Sequence, residues 1–431
     1  MYKPIINQQA EALNNAIKQS NAPVFFMLSE RGKAIFFPKK GILGQSADAK
    51  GKDINATIGM ALEDDGSPLC LNAISSLVDI SKQDLFNYAP SYGKAELRKK
   101  WKEMMFEKNP SLKGEISIPV VTNALTHGLS MCGYLFLDEG EEIIVPEPYW
   151  GNYNLIFSNA YRVQVSTFPL FKENILNISG LKDILMSDGE KKVIVLNFPN
   201  NPTGYTPTEK EIPDIVSAIK ESADSGKKIV ALIDDAYFGL VYEKGIYTES
   251  IFSKLAHLHE NVLAVKLDGA TKEDYAWGFR VGFITYGIKG GDEALYKALE
   301  EKTAGAVRGN ISNAPHISQS LLLKAFTNPD YAKEKKEKYN TLKRRYEKVK
   351  EIFEEHPEYA ECFTPLPFNS GYFMCIKLTD KDPEQVRQIL LTKYSTGIIA
   401  LKDMIRIAYS GTPYHLLDKL YENIYKACKE A

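Results

Sequence analysis

The sequence predicts an α/β fold in which a mostly parallel sheet carries helices on both faces. Four short runs rich in β-branched residues lack the alternation of half-exposed strands, which is typical of strands buried on both faces: 140–148, 191–199, 227–237 and 261–269. Helical patterns separate these runs, as right-handed crossovers between parallel strands require. Polar residues lie at the carboxyl ends of three of the runs, which is where ligands of open α/β sheets collect.

The clearest helix lies between the second and the third run. In TPTEKEIPDIVSAIKESADSG (206–226), Thr208 and Glu211 form a capping box and apolar residues recur at helical spacing. Gly226 supplies the stop signal. This segment therefore predicts the helix that connects two neighbouring strands.

The pattern changes from about residue 316. The segment 330–356 is long, highly charged and amphipathic, which predicts a single long helix. Short strands follow in GYFMCIKL (371–378) and MIRIAYS (404–410), and a last helix follows in 414–430. The C-terminal part of the chain therefore predicts an α+β arrangement.

This change divides the chain into two predicted domains. A chain of 431 residues is long enough for more than one domain. We predict a large α/β domain over 56–315 and a smaller α+β domain made of 1–55 and 316–431. No internal repeat or low-complexity tract interrupts either part.

Composition excludes several classes of function. The 53 basic and 55 acidic residues give a net charge of −2 without long blocks of one sign, which argues against nucleic acid or a membrane surface as a partner. The first residues contain no uninterrupted apolar segment, and no run of 18 apolar residues occurs, so we expect a cytoplasmic protein. Five scattered cysteines and six histidines show no metal-ligand spacing, so we expect no metal site.

Three motifs lie at the carboxyl ends of predicted strands, so we expect them to meet at one edge of the sheet. Taken singly, the first is a good turn, the second a cap and the third a solvated lysine. In this order they predict instead that an asparagine, a carboxylate, a tyrosine and a lysine converge. The motifs are NNPTG (200–204), DDAY (234–237) and GATK (269–272).

This set of side chains suits pyridoxal phosphate. A lysine amine, here Lys272, condenses with the aldehyde of that cofactor and can then move protons. A carboxylate, here Asp234, keeps the pyridine nitrogen protonated so that the ring accepts electron density. Tyr237 and Asn201 are placed to contact the ring oxygen. Arg280, as a bidentate fork, and Thr271 are candidates for the phosphate.

The combination of NNPTG, DDAY and Lys-x7-Arg-x-Gly resembles the class I/II aminotransferase family of fold type I pyridoxal-phosphate enzymes, of which aspartate aminotransferases are members. The resemblance extends over nearly the whole chain. It implies the two-domain fold of that type, with Lys272 as the Schiff-base lysine and Asp234 as the partner of the pyridine nitrogen. It also implies that Asn201 and Tyr237 contact the ring oxygen.

The resemblance implies further cofactor contacts. VVTNALTHGLSM resembles the family's phosphate loop, so Ala124, Leu125 and Thr126 would present N–H groups and a hydroxyl at a helix N-terminus. The sequence departs from the pattern here, because small or glycine residues are usual at the first two positions. It departs again at Gly269, where the family often has a serine that binds the phosphate.

Two aromatic residues complete the implied cofactor site. PEPYW (146–150) matches the segment that stacks a ring on the cofactor, and we favour Trp150 over a purely structural tryptophan. NYAPSYG (87–93) resembles the stretch whose tyrosine reaches the phosphate of the neighbouring subunit, which points to Tyr88. The resemblance therefore implies a homodimer with shared active sites.

Substrate contacts are implied at four positions. Arg406 in MIRIAYS matches the arginine that binds the α-carboxylate, and a bidentate fork there would also fix orientation. Ile58 and Gly59 lie in ATIGMA, which resembles the mobile segment that closes over the site. Arg308 lies where dicarboxylate-specific members carry an arginine for the distal carboxylate, although a helix-end arginine explains it equally well.

The predicted activity is transfer of the amino group of an L-amino acid to a 2-oxo acid such as 2-oxoglutarate, with aspartate or another dicarboxylic amino acid as one donor. A lyase or decarboxylase, such as a C–S β-lyase, is the alternative, because the cofactor motifs do not decide which bond breaks. A transcription regulator on this fold is disfavoured, because the fifty or so residues before ATIGMA carry no basic helix-turn-helix pattern.

Overall fold

The computed structural model describes residues 6–20, 25, 28–35, 41–75 and 80–431. Part of the N-terminal contribution that we predict for the smaller domain, within 1–55, therefore lies outside the described residues.

A seven-stranded sheet forms the centre of the molecule, in the order β2-β10-β9-β8-β7-β3-β4. Its strands are β2 (Val120–Asn123), β3 (Glu142–Glu147), β4 (Gln164–Pro169), β7 (Lys191–Asn197), β8 (Lys228–Asp234), β9 (Val262–Asp268) and β10 (Val281–Gly287). Strand β10 runs antiparallel to both of its neighbours, and the other pairs are parallel. The predicted α/β class with a mostly parallel sheet is confirmed.

Burial explains why these strands lack alternation in the sequence. In β7 and in β8 every residue except the first is buried. Apolar side chains of both faces lie in two separate hydrophobic clusters, one on each side of the sheet. A strand covered on both faces needs apolar residues at consecutive positions.

Helices cover the sheet and build the rest of the chain. Those of the described N-terminal part and the large region are α1 (Gln8–Ser20), α2 (Glu30–Ala34), α3 (Ile42–Asp48), α4 (Asn72–Ser75), α5 (Lys82–Phe86), α6 (Ala95–Lys108), α7 (Ala124–Phe136), α8 (Ile178–Met186), α9 (Ile212–Asp224), α10 (Phe252–Leu255), α11 (Ala270–Glu273) and α12 (Glu293–Asn310). The C-terminal helices are α13 (His316–Phe326), α14 (Tyr331–Glu355), α15 (Pro383–Lys393) and α16 (Leu417–Glu430). None of the helices in the described part of the chain combines the length and apolar character that crossing a bilayer requires.

The predicted capping box precedes α9. The backbone N–H of Thr208 donates to Glu211 Oε2 at 2.7 Å, and the backbone N–H of Glu211 donates to Thr208 Oγ1 at 3.3 Å. Gly226 follows the helix with a φ of 98°, a conformation that costs glycine little. Local sequence therefore sets both ends of this crossover.

A smaller antiparallel sheet lies in the C-terminal part, in the order β11-β12-β15-β14. The other strands in the described part of the chain are β1 (Ile54–Asn55), β5 (Phe171–Lys172), β6 (Ile175–Leu176), β11 (Phe363–Pro365), β12 (Met374–Leu378), β13 (Thr396–Gly397), β14 (Ile399–Ala400) and β15 (Met404–Ile407). Helices α14 and α16 pack over this sheet in one hydrophobic cluster. Strand β1 pairs with β13, which joins the N-terminal segment to the C-terminal part, while the division at residues 55 and 315 stays a prediction.

Candidate active site

A cavity of about 460 Å³ lies at the carboxyl ends of β7, β8 and β9. Most of the predicted site residues line it: Lys272, Asp234, Tyr237, Asn201, Arg280, Thr271, Thr126, Ala124, Leu125, Trp150, Gly59 and Arg406. Residues far apart in the sequence thus meet at one edge of the sheet, as the motif order predicts.

Lys272 lies in the wall of this cavity, in the short helix α11 that follows β9. Its Nζ lies 5.1 Å from the centroid of the Tyr237 ring, and no carboxylate of the described residues forms a salt bridge with it. Burial lowers the pKa of Lys272 to about 8, because the attraction of Asp234 does not offset the cost of desolvating the charged amine. A fraction of this amine is therefore neutral near physiological pH and able to act as a nucleophile.

Asp234 is the last residue of β8 and is buried. Its Oδ2 accepts a hydrogen bond of 2.6 Å from the hydroxyl of Tyr153, and its Oδ1 accepts one of 3.2 Å from the backbone N–H of Ala236. Burial raises the pKa of Asp234, while the Tyr153 hydrogen bond and the charge of Lys272 oppose the increase. A buried carboxylate at the cavity wall suits a cationic ring nitrogen.

Tyr237 and Asn201 lie side by side in the cavity wall. Burial raises the pKa of Tyr237, and the nearby Arg406 charge and Asn201 side chain oppose the increase without offsetting it, so the phenol keeps its proton. The backbone N–H of Asn201 donates to Asn197 Oδ1 at 2.8 Å, and Asn197 Nδ2 donates to the carbonyl of Asp234 at 2.8 Å. These bonds join the ends of β7 and β8 and position both polar side chains.

A further part of the cavity wall, called the cradle here, lies where β2 passes directly into α7 and includes Ala124, Leu125 and Thr126. Ala124 adopts a φ of 63°, a left-handed conformation that favours glycine, which explains why small or glycine residues are usual at this position. Helix α7 begins here, so its first N–H groups have no partner within the helix. Glycine at position 282 leaves space for the backbone at Ala124, because a Cβ atom there would lie 2.7 Å from the Ala124 carbonyl carbon. The cradle can therefore bind an anion.

Thr271 and Arg280 add donors to this cradle. Thr271 is buried, and its Oγ1 has no hydrogen-bond partner among the described residues. Arg280 is exposed and lines the cavity, and within the described parts of the chain its guanidinium donates only to a backbone carbonyl, from Nη1 to that of Trp277 at 3.3 Å. A buried hydroxyl without a partner costs free energy unless a ligand satisfies it, which fits the phosphate group that the sequence predicts.

The glycine that replaces the family's serine has a packing explanation. A Cβ atom at Gly269 would lie 2.5 Å from the backbone oxygen of Val281 and 2.8 Å from the Cα atom of Gly282. Strand β10 therefore leaves no room for a serine side chain at this position.

Arg406 enters the cavity from β15 of the smaller sheet and is buried. Its guanidinium lies 4.2 Å from the centroid of the Phe373 ring, and it donates to Asn201 Oδ1 at 3.3 Å and to the carbonyl of Thr57 at 3.4 Å. Its Nε has no partner, and no salt bridge joins Arg406 to a carboxylate in the parts of the chain described. Burial lowers the pKa of Arg406, and an anionic ligand would offset this cost of desolvation.

Three predicted residues lie outside the cavity of their own chain. Ile58 is half-buried and packs against Gly411, whereas its neighbour Gly59 lines the cavity. Tyr88 is 89% exposed. Arg308 is exposed near the end of α12, where its Nη1 donates to the Ser312 hydroxyl at 2.7 Å.

Several residues that line or support the cavity were not predicted. Trp277 and Phe373 line it, and a signal existed for both, because Trp277 lies within the Lys-x7-Arg motif and Phe373 directly precedes β12. Tyr153 lies three positions after Trp150, but its spacing alone does not reveal a contact with β8. Ile42 reaches the cavity from α3, for which the sequence carries no signal.

Comparison with known proteins identifies the family of this chain. The model of the family "Aminotransferase class I and II" matches residues 52–424. An aspartate aminotransferase of Bacillus sp. (strain YM-2) is 25% identical over 65% of this chain and 68% of its own length. The cytoplasmic aspartate aminotransferase of Caenorhabditis elegans is 26% identical over 68% of this chain and 72% of its own.

Solved structures show the same fold. An aminotransferase from Anaerococcus prevotii superimposes with a TM-score of 0.82 at 25% identity, covering 93% of this chain and 98% of that one. The cytoplasmic aspartate aminotransferase of Saccharomyces cerevisiae gives a TM-score of 0.76 at 19% identity, covering 95% and 100%, and at this identity supports the fold alone.

Proposed function

The chain belongs to the class I and II aminotransferase family and is a pyridoxal-phosphate-dependent aminotransferase, and we propose that Lys272, Asp234 and Arg406 carry its activity on an amino acid. One observation carries this proposal. The guanidinium of Arg406 is buried without a carboxylate partner among the described residues and faces the same cavity as the Lys272 amine. An α-amino acid presents a carboxylate and an amine at a short, fixed separation, so it suits these two groups together.

The residues present fit the cofactor. Bound pyridoxal phosphate supplies an aldehyde that condenses with amines and a protonated ring that accepts electron density from the substrate. Thr271 Oγ1, Arg280 and the N-terminus of α7 would hold the phosphate, and Asp234 would hold the ring nitrogen. The Tyr237–Asn201 pair would contact the ring oxygen, and Trp150 would cover the ring.

Side chains of the protein bind the substrate and transfer its proton. Arg406 binds and orients the α-carboxylate as a bidentate fork. The neutral Lys272 amine takes the proton from the substrate α-carbon and returns it later, which a pKa of about 8 favours near neutral pH. A second substrate, a 2-oxo acid such as 2-oxoglutarate, accepts the amino group, so we expect ping-pong kinetics.

We propose a homodimer in the cytoplasm with shared active sites. Tyr88 and Phe86 are 89% and 76% exposed, so their aromatic rings are available to a second subunit. Arg308 lies outside the cavity of its own chain, so it can contact the side chain of an acidic substrate only from a neighbouring subunit. Recognition of a dicarboxylic amino donor by Arg308 therefore requires this dimer.

The first experiment mixes the cofactor-loaded protein in single turnovers with aspartate, glutamate, alanine, an aromatic and a branched amino acid. We expect one class of donor to convert the cofactor to its amine form, and 2-oxoglutarate to reverse the change. Release of ammonia, pyruvate or carbon dioxide without this conversion would contradict transamination and establish a lyase or decarboxylase.

The second experiment tests whether Arg308 acts across the dimer. We expect Lys272→Ala and Arg308→Ala each to be inactive with an acidic donor, and mixed, refolded dimers of the two to recover activity. Only a hybrid dimer combines an intact Lys272 with an intact Arg308 of the other chain. An Arg308→Ala protein that is fully active with aspartate would contradict this role.

A further inference from the structure

Tyr153 is a buried residue that the proposed mechanism does not use. It follows Trp150 in the segment after β3 and directly precedes a π-helical turn, Asn154–Asn159. Its side chain is 1% exposed, and its ring packs against Phe157 in the cluster behind the sheet. Turns of this kind are rare and are found frequently at functional sites.

Among the described residues, the hydroxyl of Tyr153 has one hydrogen-bond partner, Asp234. It donates to Asp234 Oδ2 at 2.6 Å, and both groups are buried. Burial and the neighbouring carboxylate hold the pKa of the Tyr153 phenol well above its usual range, so the phenol keeps its proton and acts as the donor. A hydrogen bond to a charged group is stronger than one between neutral groups.

The ring of Tyr153 also supports Trp150. The two rings meet edge to face, with centroids 5.6 Å apart and planes at 82°. The rings of Tyr149 and Tyr153 are stacked, with centroids 6.2 Å apart. Aromatic pairs in such geometries are stabilising, so the orientation of the Trp150 ring depends on Tyr153.

We propose that Tyr153 is a positioning residue that holds the Asp234 carboxylate in one orientation and in its charged form, while its ring holds Trp150 against the cofactor site. The inference rests on the role of Asp234 in the proposed function. A single buried phenol would thus position both Asp234, which contacts the nitrogen of the cofactor ring, and Trp150, which contacts the face of that ring. A purely structural tyrosine would fill the same space without affecting the cofactor's ring nitrogen.

The test replaces Tyr153 with phenylalanine, which keeps the ring and removes the donor. We expect the apoprotein of Tyr153→Phe to bind pyridoxal phosphate about tenfold more weakly, the size of one hydrogen bond to a charged group. With cofactor labelled with ¹⁵N in the ring, we expect the nitrogen resonance to move toward that of the unprotonated ring. The pH profile of kcat/KM should move as well, because Asp234 loses the donor that opposes its protonation.

Tyr149→Phe is the matched control, because it removes a hydroxyl from the neighbouring ring. The Tyr149 hydroxyl donates to Asn154 Oδ1 at 3.2 Å and does not contact Asp234. We expect cofactor affinity, nitrogen resonance and pH profile to stay those of the wild type. If Tyr153→Phe also leaves all three unchanged, Tyr153 is a packing residue and the inference is wrong.

Two further measurements keep the test decisive. If Tyr153→Phe fails to fold, 3-fluorotyrosine incorporated at position 153 keeps the ring and strengthens the donor, and the nitrogen resonance should move toward the protonated form. No movement would refute the inference. Borohydride reduction of the loaded wild type, with mass spectrometry of the Lys272 peptide, tests the proposed site itself, so failure of the site and failure of the Tyr153 role give different results.

Discussion

Two lysines lie close together in the chain, at the end of β9 and just beyond it, yet their surroundings differ. Lys266 is buried between two carboxylates, Asp235 and Asp268, with the latter at 3.1 Å, and these raise its pKa to about 12. Lys272 has no salt-bridge partner among the described residues and faces the cavity, and burial lowers its pKa to about 8. A lysine side chain thus forms buried salt bridges at position 266 and presents a reactive amine at position 272.

The neighbouring aspartates show the same contrast. Asp234 and Asp235 are adjacent at the end of β8, so their side chains point to opposite faces of the sheet. Asp235 binds Lys266 and accepts a hydrogen bond of 2.5 Å from the Ser250 hydroxyl, whereas Asp234 meets Tyr153 and the cavity. A charge whose partners are all protein groups is structural, whereas a charge that faces a cavity is available for chemistry.

The largest expected difference between the two lysines is in turnover. Lys272→Ala should lower the rate of amino-group transfer by at least about a thousandfold, because it removes both the nucleophile and the proton carrier. The half-reaction with a donor amino acid measures this loss, and circular dichroism checks that the fold is intact. Turnover that survives in Lys272→Ala would refute the site assignment.

Lys266→Met should act on stability instead. It leaves the buried carboxylates of Asp235 and Asp268 without their cation, so we expect the free energy of unfolding to fall by about 3–5 kcal/mol. Urea denaturation of the apoprotein measures this change. An unchanged midpoint would show that the cluster around Lys266 does not contribute to stability.

Lys272→Met should stabilise the apoprotein at pH 7. The pKa of Lys272 is about 8 in the folded chain against a usual 10.5, so the unfolded chain binds more protons between these values and wild-type stability rises there with pH. Below pH 8 the folded wild type carries the full free-energy cost of burying the protonated Lys272 amine, about 3 kcal/mol. The variant has no amine there and avoids this cost. Urea denaturation at pH 7 and pH 10.5 tests this, since the advantage should vanish at the higher pH, and an advantage independent of pH would contradict it.

The smallest effect is expected for a lysine whose charge remains in water. Lys220 forms a salt bridge of 2.6 Å with Asp224 on α9, and both side chains are about half exposed, at 50% and 48%. Because exposed pairs of this kind contribute little, Lys220→Ala should leave the thermal midpoint unchanged within error. A clear decrease of the thermal midpoint in scanning calorimetry would contradict this expectation. It would mean that the difference in solvent exposure does not explain the different contributions of Lys220 and Lys266 to stability.

Much of this site was predictable from the sequence because its signals are short-range. Buried strands of a parallel sheet need continuous apolar runs. Asp234 ends one such strand, and Asn201 and Lys272 lie four residues beyond the ends of two others, so one topological rule brings them to the same edge. The capping box of α9 is likewise a contact between residues three positions apart. Contacts between residues so close in the sequence can be predicted without knowledge of the tertiary structure.

The tertiary structure alone decided the rest, because it depends on which distant side chains share a cavity. The local sequence predicted four of the seven strands of the central sheet, both ends of α9 and the residue types at the rim. Only the folded chain distinguishes Lys266 from Lys272, brings the Tyr153 hydroxyl to Asp234 across 81 positions, and places Arg308 outside its own cavity. Desolvation and partner distance set the pKa of a group, and neither is a property of the local sequence.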